Sequence, residues 1–253
     1  KGSRLGILDQ RPRVKKTLNA AIFSCQADIL TRNAFPDGAE KYNSLARTAL
    51  IRSAEDLGYK ALVKRLKADD SYAFALAAIP VDRIPLFRSR ARDAVNGAVR
   101  ATYNLTPGDS SHVDWLLKGC RYIYPHDYQP YALPIFVDSI RAAYFKTPKS
   151  FGWKVVSQFT SSSPDKPDEK EIPAAMLALI STAASPFFLL YISVFAAIDD
   201  HRGSPYEASE FTTNFFGSAY SRNIRILSAL KDGSLERYHD LMHDLFNSVW
   251  YVI

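Results

Sequence analysis

The side chains best suited to chemistry lie in the motif HDLMH, which places His239 and His243 four residues apart. Residues at positions i and i+4 share one face of a helix, so both imidazoles can reach the same ligand. Two histidines at this spacing around an acidic residue match the zinc-binding arrangement HExxH, in which a glutamate acts as general base. Here the acid is Asp240, which is one methylene shorter. A third ligand is also needed, and the sequence offers His201, which follows Asp199 and Asp200, or Asp244.

Two hypotheses for this motif stay open. One is a metal-dependent hydrolase that binds its metal through His239 and His243. The other is a packing helix whose histidines face solvent or cap a neighbouring group. The apolar residues of the motif and of the turn after it favour the second hypothesis. We therefore expect no catalytic residue and no cofactor, although the sequence alone does not decide whether the protein is an enzyme.

A second set of candidates is basic. The net charge is +6, and residues 1–67 contain 14 Lys or Arg against 6 Asp or Glu, so the excess is N-terminal. Arginine binds phosphate through two parallel hydrogen bonds, and helices can present arginines along a phosphate backbone. The residues expected to bind a nucleic-acid backbone or an acidic protein partner are Arg11, Arg13, Lys15, Lys16, Arg88, Arg90, Arg92 and Arg100, with Lys64, Arg65, Lys67 and Arg83 on the same surface. The alternative is an ordinary solvated helix surface.

No zinc-finger spacing, RNP motif or helix-turn-helix accompanies these residues, so recognition of a base sequence is not expected. The chain has two cysteines, Cys25 and Cys120, which cannot form the disulfide framework of a small secreted domain. Both follow an apolar helical spacing and are expected to be buried thiols in a reducing compartment.

The elements that must position these residues are predicted to be helices only. Apolar spacing predicts a first helix around residues 14–29, a pair of helices in 39–66 interrupted at Gly58, and a helix that begins at Pro85. Further predicted helices are a short one capped by Ser110 or Ser111, one over Pro134–Phe145, one from Ser204 to about Leu230, and a last amphipathic helix from Leu235 to Val249. We expect about nine to eleven helices.

This pattern predicts an all-α fold with one globular multi-helix domain over residues 13–250. We expect residues 1–12 to form a basic N-terminal extension and residues 160–171 to form an exposed polar loop. The chain begins without Met and ends just after a helical pattern, so we expect a domain excised from a longer protein.

The longest apolar segment runs from Ile172 to Ile198 without a charged residue. A segment of this length could cross a bilayer, which requires about 20 apolar residues in a helix. Pro186 lies at its centre and disfavours one straight helix. The amphipathic helices that follow need an apolar partner, so we expect this run to form a central helical hairpin or kinked helix of the core. A membrane association through residues 172–198 is the alternative.

Six short motifs follow one another along roughly residues 10 to 250: FPDG, RIPLFRSRARDAV, VDWLL, EIPAAMLALISTA, FTTNFFGSAYSRNIRIL and RYHDLMHDLF. Their order resembles an uncharacterised fungal family, found mainly in basidiomycetes, that carries a helical domain of unknown function. The resemblance implies a soluble helical domain, often embedded in a longer polar chain, and supplies no activity. The segment SPFFLLYISVFAAIDDHRG is longer and more apolar than the family pattern.

The sequence therefore predicts a non-enzymatic helical interaction domain that binds protein or nucleic acid through its basic N-terminal half. An association with chromatin or transcription and an intracellular, nuclear location are part of this expectation. The metal-dependent hydrolase and the membrane-associated protein are the alternatives. The oligomeric state is left open.

Overall fold

A computed structural model describes residues 6–36, 38–106, 109–124, 129–184 and 213–250. Over these ranges the chain forms helices and no strand, which confirms the all-α prediction. Ten α-helices are present in the described part. The chain divides into two compact units, Lys1–Phe87 and Arg88–Ile253.

The first unit packs three helices and the start of a fourth around small apolar side chains. These are α1 (Pro12–Thr31), α2 (Gly38–Asp56), α3 (Lys60–Ala68) and the first part of α4 (Asp70–Thr102). Leu18 and Ala21 of α1, Leu50 of α2 and Leu76 of α4 are almost completely buried in one cluster. Alanines at many other positions of this cluster let the helices approach closely.

The predicted break at Gly58 is confirmed and ends α2. Gly58 has a φ of 71°, a left-handed conformation that glycine adopts without steric penalty. The N–H groups of Gly58 and Tyr59 donate to the carbonyls of Glu55 and Ala54, at 2.9 Å each. These two bonds form a Schellman motif, which satisfies the last carbonyls of α2 and turns the chain into α3.

The helix predicted to begin at Pro85 begins fifteen residues earlier, at Asp70. Pro80 and Pro85 both lie inside the 33 residues of α4. Proline is favoured at the first position of a helix because it lacks an N–H, and the prediction rested on that preference. Ile79 before the prolines, Ile84 between them and Phe87 after them are all buried. This burial stabilises a continuous helix even though the two prolines lack a backbone N–H.

The second unit contains the remaining helices. They are α5 (Ser110–Leu117), α6 (Pro134–Ile140), α7 (Phe151–Val155), α8 (residues 174–184), α9 (Thr213–Gly233) and α10 (Leu235–Trp250). A π-helical turn, Arg141–Phe145, continues α6, as the predicted helix over 134–145 requires. Asp109, rather than Ser110 or Ser111, caps α5, since its carboxylate accepts a hydrogen bond from the N–H of His112.

The described part of the long apolar run lies in the core. Every residue from 175 to 184 in α8 is buried. Pro186 and the rest of the run to Ile198, like the predicted helix start at Ser204, lie outside the described residues. Within the described ranges no helix is both long and apolar enough to span a membrane.

Candidate functional site

The two histidines of the HDLMH motif lie on one face of α10, as their spacing predicts. Their rings are stacked with centroids 5.6 Å apart and an interplanar angle of 7°. His239 is 1 % exposed, and His243 is half-buried. The segment that precedes α8 covers this face, since the N–H of Ile172 donates to the carbonyl of Met242 at 3.1 Å.

His239 is held between two carboxylates of that segment. Its Nδ1 lies 2.7 Å from Glu171 Oε1, and its Nε2 lies 2.7 Å from Glu169 Oε2. Glu171 is itself buried and accepts further hydrogen bonds from the N–H and the hydroxyl of Ser162, at 2.6 and 2.7 Å. A protonated imidazole donates through both nitrogens, so the charged form of His239 satisfies both glutamates.

The electrostatics of this cluster favour the charged pair. Burial lowers the pKa of His239, but the hydrogen bonds that its ring donates to Glu171 and Glu169 outweigh burial, and the net pKa lies above the ordinary 6.5. The hydrogen bond from His239 is the largest cause that lowers the pKa of Glu169 below its ordinary 4.5. The three groups therefore form an ion cluster that ties residues 161–171 to α10.

This arrangement leaves little room for a metal on His239. Each of its nitrogens is already bonded to a carboxylate, and His243 Nδ1 lies 2.9 Å from the carbonyl of Lys170. Among the described residues no group of three His, Cys, Asp or Glu side chains could hold a metal ion. Asp240 is exposed and faces Lys166 at 3.7 Å. His201, Asp199 and Asp200 lie outside the described residues, so the zinc site stays a prediction.

The polar loop predicted at 160–171 is only partly exposed. Residues 164–168 are exposed, whereas Ser161, Ser162 and Ser163 are half-buried, and Glu171 is buried. The ion cluster explains the burial, because both glutamates must reach His239 on α10.

A second candidate site is a basic groove in the first unit. It has a volume of about 970 Å³ and is lined by the first turn of α1 with the residues before it, by α3 with the turn before it, and by one residue of α4. Four of its lining residues are cationic and two are aromatic: Arg11, Arg13, Lys60, Arg65, Tyr59 and Tyr72. Asp9 is the one acidic residue among those that line it. We call the groove that these six residues line the basic groove.

The cations of the basic groove are available to a ligand. Across the ranges that the structure describes, none of the four pairs with a carboxylate, whereas nearby Lys67 is paired with Glu55 at 2.7 Å. Arg11, Arg13, Lys60 and Arg65 are all exposed. An exposed cation without a counter-charge keeps its full attraction for an anion.

Two arginines of the groove lie over tyrosine rings. The guanidinium carbon of Arg65 is 3.6 Å from the centroid of Tyr72, and that of Arg13 is 5.8 Å from the centroid of Tyr59. A guanidinium stacked on a ring keeps its N–H donors free, since they lie in its own plane. Stacking therefore holds the arginine in place without using the groups that would bind an anion.

The helix termini at the groove add to its positive potential. Pro12, Arg13 and Val14 begin α1, and Lys60 begins α3. Neither helix has an acidic residue in its first turn or a side-chain hydrogen bond at its N-cap. The N-terminal ends of both helix dipoles thus meet the same groove, in which Asp9 is the one acidic lining residue.

The basic residues predicted as a binding surface differ in position and in exposure. Arg11 and Arg13 line the groove, whereas Lys15 and Lys16 follow on α1 and do not. Arg88 is 2 % exposed, which corrects its prediction as a surface residue. The three remaining predicted residues belong to the second unit: Arg90 and Arg100 are exposed, and Arg92 lies 3.2 Å from Asp93.

Three groove residues were not predicted from the sequence, namely Tyr59, Lys60 and Tyr72. In the sequence, Tyr59 and Tyr72 flank the basic helix α3 on its two sides. Only the fold shows that these residues line one groove with the start of α1.

Comparison with known proteins gives a family and no activity. No curated protein and no solved structure shows significant similarity to the chain. A family model described as a domain of unknown function, DUF6532, matches residues 20–230. The match includes α3 and α8 and begins after Arg11 and Arg13. Because it spans most of the sequence, the chain belongs to the DUF6532 family.

Proposed function

We propose that the protein is a non-enzymatic helical interaction domain whose first unit binds the phosphate backbone of nucleic acid through the basic groove. The observation that carries the proposal is the convergence of four exposed cations without a carboxylate partner on one concave surface. Three of the four are arginines, and arginine binds phosphate oxygens bidentately.

The composition of the groove supports a polyanion over a single small anion. The four cations come from two segments of the chain, the start of α1 with its N-cap Arg11 and the helix α3, and they line a groove of about 970 Å³. Phosphate groups repeat along a nucleic acid and can contact such cations one after another. Aromatic residues between the cations are also typical of nucleic-acid-binding grooves.

Fluorescence anisotropy with a labelled oligonucleotide of about 12 nucleotides tests the proposal at low salt. Charge reversal of two groove residues, Arg13→Glu with Arg65→Glu, should weaken binding by at least about tenfold, since two phosphate contacts become repulsive. The matched control is Lys16→Glu with Lys64→Glu, two exposed lysines on the same helices that do not line the groove. The control changes the net charge equally and should reduce affinity much less.

Two results would contradict this function. If the unmodified protein binds no oligonucleotide even at low salt, the groove does not serve a nucleic acid, and an acidic protein partner becomes the better hypothesis. If both double variants lose the same affinity, binding reflects the net charge of the unit and not the groove.

We further propose an intracellular, nuclear location with a role near chromatin or transcription, and a fungal source, which the sequence resemblance indicates. The location follows from the proposed ligand. Fluorescence microscopy of the tagged protein tests it, and exclusion of the protein from the nucleus would contradict it.

A further inference from the structure

We propose that the basic groove selects single-stranded over duplex nucleic acid, with Arg65, stacked on Tyr72, as the platform on which an unpaired base lies. This inference rests on the proposed function. It adds the class of nucleic acid that is bound and names the residue that makes the selection.

The platform is built by the corner between α3 and α4. Arg65 lies in the last turn of α3, and Tyr72 lies in the first turn of α4. Asp69 stands between the two helices, and its carboxylate accepts a hydrogen bond from the N–H of Tyr72 at 2.9 Å. This cap fixes the backbone from which the tyrosine ring projects. The ring is half-buried, and the guanidinium on top of it is exposed.

A stacked arginine offers two kinds of contact at once. The guanidinium carbon of Arg65 lies 3.6 Å from the centroid of the Tyr72 ring, and Arg65 is exposed, so the side of the guanidinium away from the ring is left for a third planar group. Bases of single strands stack on arginine planes as they do on aromatic rings. The in-plane N–H donors of the same group can meanwhile contact a phosphate oxygen.

The size of the groove supports a flexible strand. A volume of about 970 Å³ lies at the upper end of pockets that enclose small molecules, which is enough for part of a single strand. The bases of a duplex are stacked inside the helix and do not reach a platform in a groove unless they are extruded, which requires unpairing. A duplex would therefore contact the four cations through its phosphates alone.

Tyr72 is a positioning residue in this scheme, because it acts through Arg65. The variant Arg65→Lys keeps the charge but loses the planar group, and Tyr72→Leu keeps the charge but removes the ring under the guanidinium. Tyr72→Phe retains the ring face and is the conservative control. Arg65 is exposed, so its substitution does not threaten the fold.

The experiment compares a labelled single strand with the duplex of the same sequence at the same salt concentration. We expect the single strand to bind about tenfold more tightly, since stacking adds to the phosphate contacts. Arg65→Lys and Tyr72→Leu should each reduce single-strand affinity about tenfold and should reduce duplex affinity by a clearly smaller factor, since only the single strand loses a stacked base. The dependence of affinity on salt should stay the same in Arg65→Lys, because the number of cations is unchanged. Tyr72→Phe should bind like the unmodified protein.

The outcomes separate the two proposals. Absence of binding to either form contradicts the proposed function. Equal or tighter binding of the duplex, or a single-strand affinity that Arg65→Lys leaves unchanged, overturns the single-strand inference and leaves phosphate-backbone binding intact. If Tyr72→Leu does not fold, Arg65→Lys alone decides.

Discussion

At the scale of single residues, the histidine that resembled a metal ligand is the centre of an ion cluster. His239 is almost inaccessible, and both of its nitrogens are bonded to glutamates at 2.7 Å. A buried carboxylate such as Glu171 would be strongly disfavoured without a charged partner. The imidazolium of His239 provides that partner, and the hydroxyl and N–H of Ser162 share the carboxylate.

This cluster predicts that the stability of the protein decreases both at alkaline and at acidic pH. The pKa of His239 is raised in the folded state, so its contribution is complete below 6.5 and is lost as the pH rises through the raised pKa. The pKa of Glu169 is lowered, so its contribution is present above 4.5 and is lost as the pH falls through the lowered value. In urea denaturation at a series of pH values, the urea concentration at the midpoint of unfolding should be highest between pH 4.5 and pH 6.5.

The variant His239→Gln is the matched test, since glutamine has a similar size and does not titrate. Near pH 6.5 this variant should unfold at a lower urea concentration than the unmodified protein. Its midpoint should also decline less as the pH rises above 6.5. A wild-type midpoint that does not fall at alkaline pH, or one that falls equally in His239→Gln, would show that the cluster does not control this dependence.

At the scale of elements, α4 is a helix that contains two prolines. Pro85 removes the donor that would bond the carbonyl of Val81, and an interior proline disfavours a helix by about 3 kcal/mol. Proline also restricts the unfolded chain, which offsets about 1 kcal/mol of this effect. The substitution Pro85→Ala restores the N–H donor, frees the unfolded chain and removes contacts of the proline ring. We expect the net effect to raise the free energy of unfolding by about 1 kcal/mol.

Pro134→Ala serves as the control for this prediction. Pro134 occupies the first turn of α6, where a helix needs no N–H from that residue. Chemical denaturation should show no gain in stability for Pro134→Ala. A loss of stability in Pro85→Ala would mean that the proline ring contributes more through its contacts than its missing donor removes.

Elements whose signals are local were predicted well from the sequence. The apolar stripe of α10 and the glycine break between α2 and α3 depend on residues within one or two turns. Pro85 was misinterpreted because the same residue type starts a helix or lies within one, and burial by distant segments decides between the two. The cap of α5 was placed within two residues of Asp109.

The candidate site was predicted less completely, because it depends on tertiary contacts. Arg11 and Arg13 were predicted, yet their partners on α3 lie about 50 residues away in the sequence. The burial of Arg88 could not be inferred either, since its helical spacing beside Phe87 fits both a surface and a core position.

At the scale of the whole molecule, the positive charge and the basic groove coincide. The excess of 14 Lys or Arg over 6 Asp or Glu lies within residues 1–67, and this range contains all four cations of the groove. The rest of the chain is close to neutral, with 18 basic and 20 acidic residues. A unit with this charge should attract nucleic acids at long range, and the groove supplies the specific contacts.

The salt dependence of oligonucleotide binding tests this central claim most directly. A plot of the logarithm of the binding constant against the logarithm of the salt concentration should have a slope of about −3 for a single strand, since four cations displace counterions. Neutralising Arg13 and Arg65 to Gln should reduce the slope by about half, whereas neutralising Lys16 and Lys64 should leave it nearly unchanged. A slope that the groove variants do not alter, or that the control variants alter equally, would contradict the assignment of the basic groove as the binding site.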